Sequence, residues 1–147
     1  AVVLAAILFA PRRGVAWRAA RRLRERRREE ADALLIDLQA AAEIGDAPTV
    51  DGFAMASARP TRAVRATLRR LERAGFVTSA GGRLRLSPVG AGTAREALQR
   101  RLLWSAWLEH GWRLALTDAR EPDPRDLRGS LGDAAVARLR AMAEGAP

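Results

Sequence analysis

The sequence lacks cysteine and tyrosine, and its 147 residues include a single histidine. Without cysteine, the chain has no disulfide framework, no thiolate zinc site and no cysteine nucleophile. One histidine leaves almost nothing from which to build a histidine-rich metal site or a histidine-based triad. No nucleophile–base pair and no glycine-rich phosphate loop is visible either. We therefore predict no catalytic residues, no cofactor and no enzymatic activity.

Lysine is missing as well, so all 26 basic residues are arginine, against 17 acidic residues and a net charge of +9. This excess indicates a phosphate-bearing partner or an anionic membrane face. Hydrophobic residues make up 48% of the chain and charged residues 29%. This composition is typical of a folded chain, with room for one ordinary domain and an attached segment.

The first ten residues, AVVLAAILFA, carry no polar side chain. As a helix they cover about 15 Å, half of the roughly 30 Å hydrocarbon core of a bilayer. Residues 11–30 then hold nine arginines and three glutamates. Arginines directly after an apolar helix follow the positive-inside pattern. We therefore predict that residues 1–10 end a transmembrane helix, which leaves the rest on the cytoplasmic face of the cell membrane. The alternative is an amphipathic surface helix that packs its larger side chains on a soluble core, namely Val2, Leu4, Ile7 and Leu8.

Residues 11–30 are predicted to form a juxtamembrane helical stalk, because they contain too few large apolar residues for a core-facing stripe. Their arginines are expected to meet the anionic headgroups of the inner leaflet, with a tryptophan near the interface. The residues assigned to this interface are Arg12, Arg13, Trp17 and Arg18.

Residues 31–90 show the order of a winged-helix domain. A first helix carries Leu34, Leu35 and Leu38 at helical spacing. A second helix starts at the N-cap Thr49 and runs to residue 56, and a third covers residues 61–74, followed by Gly75 at the C′ position. Two short alternating strands, residues 76–78 and 83–86, are joined by a glycine turn. The predicted fold is mainly α: a winged helix-turn-helix with a two-stranded wing, followed by a helical region over residues 91–147.

A winged helix inserts its third helix in the major groove of DNA and touches a neighbouring groove or backbone with its wing. Arginines follow both elements here, but the third helix has no asparagine or glutamine to recognise adenine. Weak DNA binding, contact with other phosphate groups and a solvated or protein-facing surface therefore all stay open. The candidate contact residues are Arg62, Arg65, Arg69, Arg73, Arg83 and Arg85.

Residues 53–92 resemble the diphtheria-toxin-repressor-like metalloregulator family. The matching segments are FAMA (53–56), PTRAV (60–64), LRRLERAGFV (68–77) and LSPVG (86–90). RLLWSAWL (101–108) is similar to a helix of that family's dimerisation domain, and residues 118–119 and 131–139 resemble its later helices. An apolar segment, an arginine stalk and this module together resemble one architecture: the permease subunit of manganese/zinc/iron ABC transporters with a fused repressor-like domain.

The chain departs from that family at the metal ligands. The family's histidine aligns with Arg101 and its glutamate with Ser105, while later ligands fall near Leu116, Arg128 and Gly129. A guanidinium stays charged and only donates hydrogen bonds, so it repels a divalent ion. We therefore predict that the regulatory metal site is lost, and we assign no metal ligand.

The C-terminal third offers a cluster of tryptophans, Trp104, Trp107 and Trp112, that predicts either a homodimer surface or an ordinary helix–helix core. His110 is expected to lie at a helix end, where the helix dipole favours a cation. The acidic segment at residues 121–126 lacks the ligand spacing of a calcium loop and is predicted to be a solvated connector.

Two functions follow from these observations. The first is a regulatory or scaffolding tail of a metal-ion ABC permease, with the ATPase subunit, a second permease copy or the inner leaflet as partner. The second is a winged-helix transcription regulator of the metalloregulator family. We expect several spanning helices upstream of residue 1 in the first case and a nearby initiator methionine in the second.

Overall fold

The computed structural model describes residues 15–114 and 122–144. Its first helix, α1 (Val15–Glu43), joins the predicted stalk and the first winged-helix helix in one continuous element. No proline or glycine interrupts it, so the helix continues through the change in composition near residue 30. The segment predicted to end a transmembrane helix, residues 1–10, lies outside the described residues. None of the described helices is long and apolar enough to cross a membrane.

Two further helices follow, α2 (Val50–Ala56) and α3 (Thr61–Arg73), as predicted. The hydroxyl of Thr49 accepts a hydrogen bond from the amide of Gly52 at 3.2 Å, which confirms the N-cap. After α3, Gly75 has a φ of +76°, and the Phe76 amide donates to the Leu71 carbonyl at 2.9 Å. This is a Schellman motif, so the glycine predicted at C′ is also confirmed.

The wing consists of two antiparallel strands, β1 (Val77–Ala80) and β2 (Arg83–Leu86). Gly81 and Gly82 between them both have positive φ, as a two-residue type I′ turn requires. This short turn lets the strands pair up to its edge, so β1 ends two residues later than the predicted strand. The sequence did not reveal that the Pro48 carbonyl also joins the wing, accepting from the Leu84 amide at 2.9 Å.

A single continuous core supports this first part of the chain. Its buried side chains come from every element between α1 and the start of α4 (Pro88–His110): Leu34, Leu35, Leu38, Phe53, Ala54, Val64, Leu68, Leu71, Val77, Leu84 and Ala94. The order of helix, helix, turn, helix and hairpin around this core is the predicted mainly α winged helix.

The chain divides into two compact units at Ala94 and Arg95, within α4. The second unit continues with a 3-10 turn (Gly111–Arg113), α5 (Leu127–Leu131) and α6 (Asp133–Ala143). The last of these covers most of the segment, residues 131–139, that resembles a later helix of the metalloregulator family. Its residues Val136 and Leu139 are buried.

Candidate nucleic-acid interface

The turn between α2 and α3 sets the direction of the third helix. The Arg59 amide donates to the Ala54 carbonyl at 3.1 Å and the Ala58 amide to Met55 at 3.1 Å, so α2 also ends in a Schellman motif. Here the left-handed position is held by an alanine, Ala58, with a φ of +51°. Pro60 is then the N-cap residue of α3, and its carbonyl accepts from the Val64 amide.

The helix α3 buries one side and exposes arginines on the other. Val64, Thr67, Leu68 and Leu71 are buried. The opposite side carries arginines separated by seven and four residues, a spacing that aligns side chains along a helix. We call these three exposed residues the α3 stripe: Arg62, Arg69 and Arg73.

Arg65 lies at the flank of this stripe and is partly neutralised. Its Nη2 is 3.3 Å from Oδ1 of Asp51 on α2, in an exposed ion pair that links the two helices of the motif. Within the stripe, Nε of Arg73 donates to the Arg69 carbonyl at 3.1 Å. The guanidinium groups of Arg62 and Arg69 form no hydrogen bond or ion pair within residues 15–114 and 122–144. These two arginines are therefore available for an external anion.

The two predicted wing arginines differ in the same way. Both Arg83 and Arg85 are exposed on β2, while Leu84 between them is buried. Arg83 donates to the Ala47 carbonyl at 2.9 Å, so it helps to hold the wing against the chain before α2. Arg85 has no side-chain partner in the part of the chain that the structure describes. Only Arg85 is therefore uncommitted on the wing.

The chemistry of this surface favours phosphate over base recognition. The exposed side of α3 offers arginine and alanine, with no carboxamide for an adenine edge. Arginine forms paired hydrogen bonds with phosphate, and also with the O6 and N7 of guanine. No aromatic side chain lies on α3 to stack an unpaired base. The site is thus suited to the backbone of a duplex.

The residues predicted at the membrane interface are only partly described. Arg12 and Arg13 lie outside the described residues, and the side chain of Trp17 is 44% exposed on α1. Arg18 is exposed and takes part in an interaction within the chain. The guanidinium of Arg21, which is not among the predicted interface residues, lies 5.6 Å from the Trp17 ring.

The three C-terminal tryptophans differ in exposure and in what they contact. Trp107 packs on the backbone of Gly111, where an added Cβ would lie 2.6 Å from the indole ring. Trp112 is 77% exposed, and its Nε1 donates to the Glu109 carbonyl at 3.0 Å. Trp104 is half-buried. The homodimer through this region stays a prediction, with Trp112 as its most accessible member.

The described positions that align with the family's metal ligands are exposed, and one of them forms an ion pair. Arg101 and Ser105 are exposed on α4, Leu116 lies outside the described residues, and Arg128 forms a 2.6 Å ion pair with Asp133. Across residues 15–114 and 122–144, no three His, Cys, Asp or Glu side chains gather as a metal site would require. His110 is the last residue of α4, as predicted, 3.9 Å from a carboxylate oxygen of Glu109.

The acidic connector is partly used for capping. Oδ1 of Asp126 accepts from the Gly129 amide at 2.8 Å and so caps α5. Oδ1 of Asp123 accepts from the Arg125 amide at 2.9 Å. These two carboxylates therefore have structural partners, which the sequence pattern did not predict.

Comparison with known proteins adds little to this geometry. No protein-family model and no curated protein matches the chain. The chain is similar to a crystal structure from Pseudomonas aeruginosa, provisionally described as a transcriptional regulator protein, with 26% identity. The alignment covers 86% of this chain and 88% of the other, with a TM-score of 0.44.

Proposed function

We propose that the winged helix binds double-stranded DNA through its phosphate backbone, with little preference for sequence. The observation that carries this proposal is the α3 stripe, opposite the buried side of the third helix. The uncommitted guanidinium groups of Arg62 and Arg69, together with Arg73 and with Arg85 on the wing, supply the positive charge that the phosphates of a duplex attract.

The salt dependence of binding measures how many phosphates the arginines neutralise. Each neutralised phosphate contributes about −0.9 to the slope of log affinity against log salt concentration for duplex DNA. Four arginines in contact therefore give a slope of roughly −3.6. Guanine-rich sites are expected to bind slightly better than others, since arginine is the only base-reading side chain offered.

The experiment compares two double variants of equal charge. R62Q/R69Q removes the two uncommitted arginines of the α3 stripe, whereas R101Q/R138Q removes two exposed arginines of the second unit. Binding to a short random-sequence duplex is measured across a salt series. We expect the first variant to lower the magnitude of the slope by about 1.8 and the second to leave it unchanged. Equal effects of the two variants, or strong preference for one palindrome, would contradict backbone binding by the stripe.

A second candidate function is the regulatory or scaffolding tail of a metal-ion ABC permease, on the cytoplasmic face of the cell membrane. It is favoured by the ten apolar residues that precede the arginines, and by the continuity of α1. Because the helix runs unbroken into the core leucines, anchoring its first turn to the membrane would hold the winged helix rigidly in position. The proposed partners are the inner leaflet, the ATPase subunit and a second permease copy.

This second function is tested by fractionation and metal titration. After breakage of cells that produce the protein from its natural gene, we expect it in the high-speed pellet, released by detergent but not by salt. Recovery in the supernatant would exclude the tail function. Titration with manganese, zinc and iron(II) is expected to give no tight binding, and a sub-micromolar site would contradict the predicted loss of the metal site.

A further inference from the structure

The first half of α1 extends beyond the core of the winged helix. Leu34, Leu35 and Leu38 are buried, and Ala31 is the most N-terminal residue of the helix that packs on them. Every side chain from residue 17 to residue 30 is exposed apart from that of Glu25, which is half-buried. This half of the helix therefore presents its surface to something other than the described core.

Helical spacing shows which side chains continue the core-facing side. Trp17, Arg24 and Arg28 are separated by seven and four residues, and Leu35 follows Arg28 by seven more. These intervals keep side chains on one side of an α-helix. Arg27 precedes Leu34 by seven residues and Leu23 precedes Arg27 by four, so both lie beside the row formed by Trp17, Arg24 and Arg28. We call this set the α1 face: Trp17, Leu23, Arg24, Arg27 and Arg28.

The α1 face combines positive charge with exposed apolar surface. Trp17 is 44% exposed and Leu23 is 48% exposed. The guanidinium groups of Arg24, Arg27 and Arg28 make no hydrogen bond or ion pair within the described ranges, 15–114 and 122–144. The neighbouring carboxylates are not members of the face. Glu25 pairs with Arg21 at 2.9 Å at its edge, where the Arg21 guanidinium also lies 5.6 Å from the Trp17 ring. Glu29 is on the opposite side of the helix, and Glu30 is at the edge beyond Leu23.

We propose that the α1 face lies on an anionic lipid surface, with its arginines on headgroup phosphates and the Trp17 indole at headgroup level. This inference rests on the membrane-attached function proposed above and names the contact that such a function would use. Arginine with tryptophan and leucine on one helix is the composition of helices that lie in a membrane interface. A second copy of the face would bring arginines against arginines, and a nucleic-acid backbone offers no apolar surface to Leu23.

The test uses the whole chain with vesicles of phosphatidylcholine, with and without phosphatidylglycerol. R24Q/R28Q is compared with R22Q/R26Q, which removes the same charge at the same spacing from the opposite side of the helix. Arg22 and Arg26 are exposed and, within the residues described, also have no partner, so the two pairs are matched. Glutamine keeps a helix propensity close to that of arginine, and circular dichroism checks that both variants stay folded.

The readout is the ratio of binding to anionic over neutral vesicles, which removes the contribution of the apolar residues 1–10. R24Q/R28Q is expected to lower this ratio about 30-fold and R22Q/R26Q less than about threefold. Equal losses would overturn the α1 face, as would a loss of duplex DNA binding by R24Q/R28Q with unchanged vesicle binding. Fractionation into the pellet can succeed while the ratio test fails, so the two proposals can be told apart.

Discussion

The two compact units of the chain differ in the size of the core that they bury. The winged helix buries eleven hydrophobic side chains in one continuous cluster that draws on all its elements. Among the described residues of the second unit, the buried hydrophobic residues are fewer: Ala97, Ala106, Leu114, Leu127, Val136 and Leu139. Both units leave large apolar residues exposed, Ile44 and Met55 at 82% each in the first, and Leu102 at 60%, Leu108 at 67% and Trp112 at 77% in the second. The first unit thus has the core of a self-sufficient domain, and the three exposed residues of the second are of the kind found at interfaces.

This contrast separates two kinds of functional surface. On the winged helix, the exposed side chains of interest are charged and rest on a rigid core, which suits an anionic partner bound without rearrangement. In the second unit they are apolar, which suits a protein partner such as the predicted second copy. Predictions that compare the units therefore also test which surface is covered in solution.

The largest expected effect comes from removing a leucine in each unit. Leu68→Ala deletes a side chain that is 2% exposed in the winged-helix core and should lower the free energy of unfolding by about 3 kcal/mol. Leu102→Ala changes a side chain that is mostly exposed, so its cost should stay within about 0.5 kcal/mol. Urea unfolding over a wide range of protein concentration measures both values. A large cost for Leu102→Ala that grows with concentration would mean that a second copy covers this leucine.

A smaller effect distinguishes two buried glycines, one in each unit. An added Cβ at Gly90 would overlap the Phe76 carbonyl oxygen and lie 2.8 Å from its carbonyl carbon, whereas at Gly111 its three nearest atoms would all belong to the Trp107 ring. A backbone cannot yield as a side chain can, so Gly90→Ala should cost about 3 kcal/mol and Gly111→Ala about 1 kcal/mol. Thermal unfolding of the two variants checks the order. Equal costs would indicate that the Trp107 ring is held as firmly as the wing backbone.

The fold could be predicted largely because its boundaries are marked by residues with one strong local preference. Thr49 caps α2 through its own hydroxyl, and Gly75 takes the left-handed position that glycine adopts without strain. The change in composition at residue 30 has no such marker. Composition changed there without a helix-breaking residue, so α1 continued through the predicted boundary between stalk and domain.

The candidate site was less predictable because its arginines are distinguished by contacts between distant residues. Asp51 and Arg65 are 14 positions apart, and Arg83 reaches the carbonyl of Ala47 across 36 positions. Local spacing identified which arginines are exposed but not which of them already have partners. The α1 face was missed for another reason: its direction follows from the continuity of α1, which carries the side of Leu34 and Leu35 through to Trp17.

The smallest effect concerns the two helix ends that use the same motif with different residues. Gly75 holds the left-handed position after α3, and Ala58 holds the equivalent position after α2 with a φ of +51°. The Cβ of an L-residue causes a strain of about 1–2 kcal/mol there. Glycine removes this strain, but it also makes the unfolded chain more flexible, which offsets part of the gain in stability.

Ala58→Gly should therefore raise the free energy of unfolding by about 0.5 kcal/mol, and Gly75→Ala should lower it by about 1 kcal/mol. Urea denaturation of both variants measures these changes. If Ala58→Gly destabilises the protein instead, the methyl group of Ala58 contributes more to the helix-turn-helix than its backbone strain removes. If the more stable variant also loses duplex binding, the strained turn is part of what orients the α3 stripe toward its ligand.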